Sequence, residues 1–186
     1  VVLPISEAKG SDIEKGCIME RPKVIYNKQT GKFVMWFHLE LKGRGYGPAR
    51  AAVAVSDSPT GPYCFIRSAR VNSSIYPLNM TKKAYHIYSS EDNLTLQIAE
   101  LSDDYLSHTG KYIRIFPGGH NEAPAIFKKD GIYWMITSGC TGWEPNKARL
   151  LTATSILGEW KQLPNPCVGE NADKTFGGQS TYVLPL

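Results

Sequence analysis

The sequence lacks the long apolar runs and the helical periodicity that would place it in several large classes of protein. No apolar run among its 186 residues approaches the ~20 residues that a membrane-spanning helix needs. No signal peptide is recognisable, and the chain begins at Val1 without Met, as expected of a processed product or a fragment. Apolar residues do not recur at helical spacing, which argues against helix bundles and βαβ folds. The segment with most helical character, residues 99–106, is expected to form one turn.

Cysteine motifs and basic clusters are also missing. The four cysteines have no metal-binding spacing, so we expect buried free thiols rather than bridges or metal ligands; they are Cys17, Cys64, Cys140 and Cys167. The net charge is +4, but the only basic pairs are Lys82-Lys83 and Lys128-Lys129. Scattered positive charge argues against a nucleic-acid surface, and we expect neither a nucleic-acid nor a membrane partner.

What the sequence does contain is a series of short β-rich runs separated by turn residues. Runs such as KFVMWFH, AAVAVS, AYHIYSS, IYWMITS and TYVLPL alternate with Gly, Pro, Asn and Asp, a pattern typical of an all-β protein. Ten Tyr and four Trp exceed what a core of this size requires. Exposed aromatic rings suit the recognition of sugars or other aromatic groups.

An internal repeat organises these runs. Residues 20–38 and 122–139 share a Glu-x-Pro step, an apolar strand, a Gly turn and a second strand containing Met, 102 residues apart. The Ala-Arg steps at Arg50 and Arg149 begin matching third strands, each followed by a polar turn and an aromatic residue. The repeat unit therefore has four strands.

The spacing of the units predicts a β-propeller. A fainter copy lies between the first two, and the units start at Glu20, near Asn79, at Glu122 and at Gln179, with spacings of 59, 43 and 57 residues. Four-stranded units of ~40–60 residues are typical of propeller blades. A β-sandwich is the alternative, but it does not require the repeated Glu-x-Pro step.

Four equivalent polar positions then become a candidate site. The first residue of the innermost strand of a blade lies at the mouth of the central channel, so these two carboxyl and two amide side chains would converge. Such a group can bind sugar hydroxyls and exchange protons. Glycoside hydrolysis needs a pair of this kind across the scissile bond. The alternative is that the four polar residues only cap strands or bind backbone amides.

The motifs resemble those of glycoside hydrolase family forty-three, and within it the exo-β-1,3-galactanase-like branch. The resemblance covers most of the chain, and the SGCTGWEPN and GGQSTYV motifs are its most specific parts. The segments that carry it are ERPKVIYN (20–27), VMWFH (34–38), ARAAVAVSDSPTGPY (49–63), YHIYSSEDNLTLQIAELSDDYL (85–106), NEAPAIFKKDGIYWMITSGCTGWEPN (121–146) and GGQSTYV (177–183).

The resemblance implies an inverting hydrolase that releases galactose from β-1,3-galactan, the backbone of arabinogalactan. Glu122 matches the general acid, and an apolar pocket would favour its protonated form. Gln179 stands where other members have a catalytic Asp, and the branch is thought to use it through its imidic tautomer or to position water. Glu20 matches a carboxylate that grips sugar hydroxyls. Inversion would place the acid and the water-holding residue ~6.5–9.5 Å apart.

The resemblance also implies further substrate contacts. A loop beside the acid and a hairpin turn would supply most of them; an ordinary packing role for Trp143 and a solvated hairpin tip at 91–93 are the alternatives. His38 and Arg50 are weaker candidates. The implied substrate-binding residues are Tyr46, Asn79, Glu91, Asp92, Asn93, Thr141, Gly142, Trp143 and Asn146.

Two departures from the family pattern bear on activity. Leu78 and Asn79 replace an Arg-Asp pair, and about eight residues of the third unit are missing. A five-bladed domain needs roughly 300 residues, judged from the unit length. We therefore expect residues 1–186 to be a single partial β-propeller catalytic domain of three to four blades, without the first blade and the end of the last.

The same resemblance implies an oligosaccharide or polysaccharide substrate, no required cofactor, room for a calcium ion on the propeller axis, and a secreted or periplasmic protein. It leaves the oligomeric state open. The competing hypotheses are a sugar-binding pseudo-enzyme with the same pocket, which Asn79 and Gln179 favour, and a structural propeller that binds protein. The latter would not need the polar residues at the channel mouth.

Overall fold

The computed structural model describes residues 1–70, 76–80 and 83–183, and for residues 76–80 only the backbone. Almost all the regular structure is β. The strands are β1 (Ile18–Asn27), β2 (Lys32–Glu40), β3 (Arg50–Ser56), β4 (Cys64–Arg70), β5 (Tyr76–Met80), β6 (Lys83–Ser90), β7 (Thr95–Leu101), β8 (His108–Ile115), β9 (Asn121–Lys129), β10 (Ile132–Gly139), β11 (Arg149–Ala153) and β12 (Lys161–Leu163), with a 3₁₀ helix at Ala172–Gly177. Within the described residues, no helix has the length and apolarity to cross a membrane.

The strands form three four-stranded sheets in chain order: β1-β2-β3-β4, β5-β6-β7-β8 and β9-β10-β11-β12. Neighbouring strands are antiparallel throughout the first and third sheets. Each sheet is a meander in which consecutive strands pair, and this is the blade unit of a β-propeller. The predicted all-β class and the four-stranded repeat are confirmed, with three such units among the described residues.

By its internal contacts the chain separates into two compact units, 1–86 with 99–111 and 87–98 with 112–186. The core of the first unit lies on both faces of β2. Successive side chains of a strand point to opposite faces, so Val34 and Trp36 join one apolar cluster while Met35, Phe37 and Leu39 join another. A central strand that is buried on both faces reads as a continuous apolar run, as FVMWF does here.

The second unit has its own core, built on β9, β10 and β11. Met135 and Leu151 are fully buried, and they are cross-strand partners. Trp160 is 6% exposed and donates from its indole Nε1 to the carbonyl oxygen of Ile156 at 3.1 Å, which satisfies its polar atom. This core provides a rigid base for the amino end of β9, where Glu122 lies.

Three local predictions were wrong. Residues 99–106 do not form a helical turn: β7 continues to Leu101, and the following turn is closed by a hydrogen bond from Ser102 Oγ to Asp104 Oδ1 at 2.6 Å. The first strand of the middle sheet ends at Met80 instead of beginning near Asn79, because β6 already begins at Lys83 and leaves no room for it. Residues 178–183 form no strand, since no described strand pairs with them.

Candidate active site

Both Glu-x-Pro steps form β-bulges. Arg21 and Ala123, which follow the two glutamates, have positive φ angles of 52° and 50°, and the pairing register breaks beside each of them. A bulge leaves one residue unpaired and redirects the neighbouring side chains, and bulges are common next to active sites. Positive φ is uncommon for residues other than glycine. The repeat therefore preserves a strained backbone geometry at Glu20 and Glu122 as well as a sequence pattern.

Glu122 contacts Gln179 directly. The amide Nε2 of Gln179 donates to Glu122 Oε1 at 2.9 Å and to the hydroxyl of Ser138 at 2.9 Å. Ser138 is the cross-strand partner of Glu122 and is only 7% exposed. Ser180 Oγ donates to the carbonyl oxygen of Ala123 at 2.6 Å, which fastens the segment that carries Gln179 to the bulge. Two of the three predicted catalytic residues are thus in contact.

This contact differs from the separation of ~6.5–9.5 Å expected between the acid and the water-holding residue of an inverting enzyme. The two side chains are hydrogen-bonded at 2.9 Å. Gln179 is exposed and its segment belongs to no strand, so strand pairing does not hold its amide away from the carboxylate. A cavity of about 290 Å³ lies beside Gln179 and is lined partly by Ser138, Thr175 and Ser180. A shift of the Gln179 side chain into this cavity would increase the distance between Gln179 and Glu122 toward the expected separation.

Cys140 lies close to Glu122, and sequence reasoning gave this cysteine no role. Burial and the nearby negative charge of Glu122 raise the pKa of Cys140 to about 11. The thiol lies 3.9 Å from the carbonyl oxygen of Asn93. The thiol is therefore protonated at neutral pH and acts as a weak donor toward this carbonyl oxygen. The SGCTGW motif contained this residue, but cysteine spacing alone gave it no role.

Arg149 fixes the chain immediately before the acid. Its Nη1 donates to the carbonyl oxygens of Gly119 at 2.5 Å and His120 at 3.2 Å and to the side-chain oxygen of Asn121 at 2.8 Å. Asn121 is 1% exposed, and its side-chain oxygen also accepts from Thr137 Oγ1 at 3.1 Å. The arginine of the repeated Ala-Arg step thus has a structural role in this unit. Arg149 fixes the start of β9, from which Glu122 projects.

In the other unit, Glu20 is bound by Tyr46. The phenol of Tyr46 donates to Glu20 Oε1 at 2.6 Å, and this hydrogen bond, together with the charge of Glu20, raises the pKa of Tyr46. The ring of His38 stacks on Tyr46 with centroids 6.2 Å apart, and His38 Nε2 lies 2.8 Å from Oε1 of the fully buried Glu40. Glu20, Tyr46 and His38 thus form a connected polar group, two members of which were predicted site residues.

The hairpin turn at 91–93 has all three residues in the left-handed region, with φ of 56°, 55° and 65° for Glu91, Asp92 and Asn93. Glu91 is held by Arg114 in a two-pronged ion pair, Nε to Oε1 at 2.7 Å and Nη2 to Oε2 at 2.6 Å. This pairing is the main reason that the pKa of Glu91 falls to about 2. The arrangement ties the turn to β8, and its predicted role in sugar binding stays a prediction.

The predicted loop beside the acid is a turn over residues 141–144. The side chain of Asn146 closes it: Oδ1 accepts from the Gly139 amide at 2.7 Å, and Nδ2 donates to Thr141 Oγ1 at 2.6 Å. Gly142 has φ 62°, in the left-handed region that glycine adopts at least cost. Trp143 projects from this turn with its side chain entirely exposed, so it has no packing role in the chain.

Two further predictions have different outcomes. Arg50 pairs with Asp12 at 3.2 Å and with Ser68, so it braces its own sheet. Asn79 lies in β5, where side chains are outside the described part of the structure. All four cysteines are free, as predicted, but the prediction that they are buried was wrong, since Cys64 is exposed and the other three are half-buried. No cluster of three His, Cys, Asp or Glu side chains that could hold a metal occurs in the described ranges.

Comparison with known proteins identifies the family of the chain. The family model described as "Glycosyl hydrolases family 43" matches residues 22–181. A solved structure of a family 43 β-1,3-galactosidase with galactodeoxynojirimycin is 68% identical, covers 100% of this chain and 69% of its own, and has a TM-score of 0.91. The exo-β-1,3-galactanase 1,3Gal43A from Clostridium thermocellum is 36% identical over 91% of this chain and 39% of its own, with a TM-score of 0.83.

Among curated proteins, the chain is similar to the β-D-galactofuranosidase xynD of Aspergillus niger, with 27% identity over 156 residues. That match covers 77% of this chain but only 44% of the relative. The chain therefore spans less than half the length of this curated relative.

Proposed function

Because the chain belongs to glycosyl hydrolases family 43, we propose that it is a glycoside hydrolase that releases galactose from the end of β-1,3-galactan. The observation that carries the proposal is the contact between Glu122 and Gln179 at a β-bulge. The similar solved structures bear the names β-1,3-galactosidase and exo-β-1,3-galactanase. The iminosugar named with the first of them has the configuration of galactose, which supports a galactose-binding pocket here.

In the proposed mechanism, Glu122 enters the reaction protonated and gives its proton to the glycosidic oxygen as the bond to the anomeric carbon breaks. A water attacks that carbon from the opposite face and releases its surplus proton to solvent, so that the anomeric configuration inverts. Gln179 holds this water after its amide has moved away from Glu122. Glu122 then recovers a proton from solvent, and galactose and the shortened galactan leave.

Glu20 has a binding role in this proposal. Its carboxylate already accepts a hydrogen bond from Tyr46 at 2.6 Å and retains further acceptor capacity for sugar hydroxyls. Trp143 supports the substrate differently, because an exposed indole offers a flat apolar surface to the C–H face of galactose. We assign both residues to substrate binding, together with the turn at 91–93, Thr141 and Gly142.

The experiment is hydrolysis of β-1,3-galactotriose by the chain, followed by chromatography of the products. The proposal expects galactose and galactobiose to appear together, with loss of about 10²–10⁴-fold in kcat when Glu122→Gln removes the acid. Glu170→Gln, an exposed glutamate outside the site, is the matched control. Equal rates for Glu122→Gln and the control would contradict the assignment.

A sugar-binding pseudo-enzyme is the second candidate, favoured by the amide at position 179 and its direct contact with the acid. Calorimetric binding of galactose without any turnover of galactotriose would support it over the hydrolase. For either candidate we propose a secreted or periplasmic location, since a polysaccharide does not diffuse across a membrane. Recovery of the protein in the extracellular or periplasmic fraction would support this, and recovery in the cytosol would contradict it.

A further inference from the structure

We propose that a basic pocket next to the acid binds an anionic sugar, such as a uronic acid, on the leaving-group side of the substrate. This inference rests on the proposed hydrolase function. The pocket has a volume of about 650 Å³ and is contained in the second unit, within the ~300–1,000 Å³ typical of small-ligand sites. Its wall includes Gly139, Cys140, Thr141 and Asn146 on one side and residues 162–165 on another.

The charge of the lining is one-sided. Lys147, Arg149 and His120 contribute to the wall, and no Asp or Glu does. Among the ion pairs of the described residues, none involves Lys147, Arg149 or His120. No carboxylate of the described chain therefore forms an ion pair with the lysine or the arginine of this wall, and partly buried charges are normally paired.

Arg149 is the strongest of these groups. It is half-buried, and its hydrogen-bond partners in the described chain are all neutral oxygens reached through Nη1. Its Nη2 lies against Gly139, 3.2 Å from where a Cβ would be, so the absent side chain of this glycine leaves Nη2 room at the wall. Guanidinium groups bind carboxylates and sulfates through two parallel N–H donors. An anionic group at Nη2 would supply the counter-charge that this arginine lacks.

The remaining lining suits a sugar ring. Gln162 is exposed and makes no side-chain hydrogen bond within the described part of the chain, so its amide is available to hydroxyls. Leu163 and Pro164 supply apolar surface for C–H groups. Gly139 lies in the wall and is the cross-strand partner of Asn121, the residue before Glu122. Because the acid protonates the leaving oxygen, a pocket beside it faces the leaving sugar or a branch on that sugar.

The test compares two substrates with the intact chain: β-1,3-galactobiose, and the same disaccharide with glucuronic acid linked to O6 of its leaving galactose. We expect kcat/KM to be higher for the acidic substrate, and the advantage to shrink in high salt because exposed charges are screened. Equal kcat/KM for the two substrates at low salt would overturn the proposal. A branch bearing galactose 6-sulfate distinguishes a general anion site from one selective for carboxylates.

Charge variants localise the effect. Lys147→Gln should lower the ratio of acidic to neutral kcat/KM by about two- to fivefold, as expected for one exposed ion pair. Lys161→Gln removes the same charge outside the lining and should leave the ratio unchanged. Equal ratios in the two variants would contradict the location. Arg149→Lys retains the positive charge but loses the two parallel N–H donors of the guanidinium group. It should lower the ratio of acidic to neutral kcat/KM further if the chain remains folded.

The failure of this proposal differs from the failure of the proposed hydrolase. If the chain hydrolyses neither substrate, the hydrolase proposal fails, and the pocket is then tested by calorimetry with glucuronic acid and galactose as probes. Salt-sensitive binding of glucuronic acid that Lys147→Gln weakens supports the pocket. No binding of glucuronic acid above that of galactose overturns it.

Discussion

The side-chain amide of Gln179 donates a hydrogen bond to the carboxylate of Glu122 at 2.9 Å, although the two residues are 57 positions apart in the chain. The same amide nitrogen also reaches Ser138, the strand partner of Glu122. In the proposed mechanism, Gln179 has to leave these acceptors before it can hold a water. Because the same amide would contact Glu122 and then position the nucleophile, substrate entry would be coupled to the geometry of the site.

Truncating Gln179 should separate its proposed role in holding the water from its contact with Ser138. We expect Gln179→Ala to lower kcat for galactotriose by at least about 100-fold with little change in KM, because an interaction made only in the transition state is lost. Ser138→Ala, which removes the other acceptor of the same amide, should lower kcat far less. Steady-state kinetics on both variants measure this. Equal losses would mean that Gln179 acts only by supporting Ser138.

The thiol of Cys140 provides a probe of Glu122 that does not depend on turnover. Burial and the Glu122 carboxylate hold the pKa of Cys140 at about 11, so the reactive thiolate is scarce at pH 9. We expect Glu122→Gln to lower this pKa and speed alkylation of Cys140 by iodoacetamide at pH 9, as measured by peptide mass spectrometry. Alkylation of Cys64, which is exposed, should not change. An unchanged Cys140 rate would show that the two side chains are not coupled.

Trp143 should matter for binding and not for folding. Its side chain is entirely exposed, so Trp143→Ala should leave the melting temperature within a degree or two of that of the unchanged chain. We expect KM for galactotriose to rise by up to about tenfold as a stacking surface is lost, and Trp143→Phe to recover part of the affinity. A large fall in melting temperature, or an unchanged KM, would contradict the assigned role.

Glu91 should stabilise the fold in a pH-dependent way. Its hydrogen bonds with Arg114 lower its pKa to about 2, below the ordinary value of ~4.3 for an unfolded chain. A depressed carboxylate pKa gives stability that is present above pH ~4.3 and is lost as the pH falls toward 2. Urea unfolding of Glu91→Gln should therefore differ from that of the unchanged chain most at pH 7 and least near pH 2.

Glu170→Gln is the matched control, because Glu170 is exposed and is in none of the ion pairs of the described residues, and it should have the smaller effect on urea unfolding at pH 7. If Glu91→Gln raises KM strongly without altering the urea midpoint, then Glu91 contacts sugar, as the family resemblance implies, and its pairing with Arg114 does not stabilise the turn.

The sequence was sufficient to predict features that are local in the chain or repeated along it. The Glu-x-Pro echo located two equivalent strand starts, and alternating apolar residues located most of the strands. It could not find the bulges, because the positive φ of Arg21 and Ala123 is imposed on ordinary residues by their surroundings. TYVLPL has strand composition, but strands form only with a partner, and no described strand pairs with residues 181–183. The contacts of Cys140, Arg149 and Ser138 depend on tertiary placement that no spacing rule gives.

The claim that Glu122 is the general acid is tested most directly by changing how much the leaving group needs a proton. For β-1,3-galactobiose, whose leaving sugar is a poor leaving group, Glu122→Gln should lower kcat/KM by about 10²–10⁴-fold. For 2,4-dinitrophenyl β-galactoside, whose leaving group departs without a proton, the same variant should retain most of its activity. Equal loss on both substrates would contradict the account and assign Glu122 a role other than proton donation.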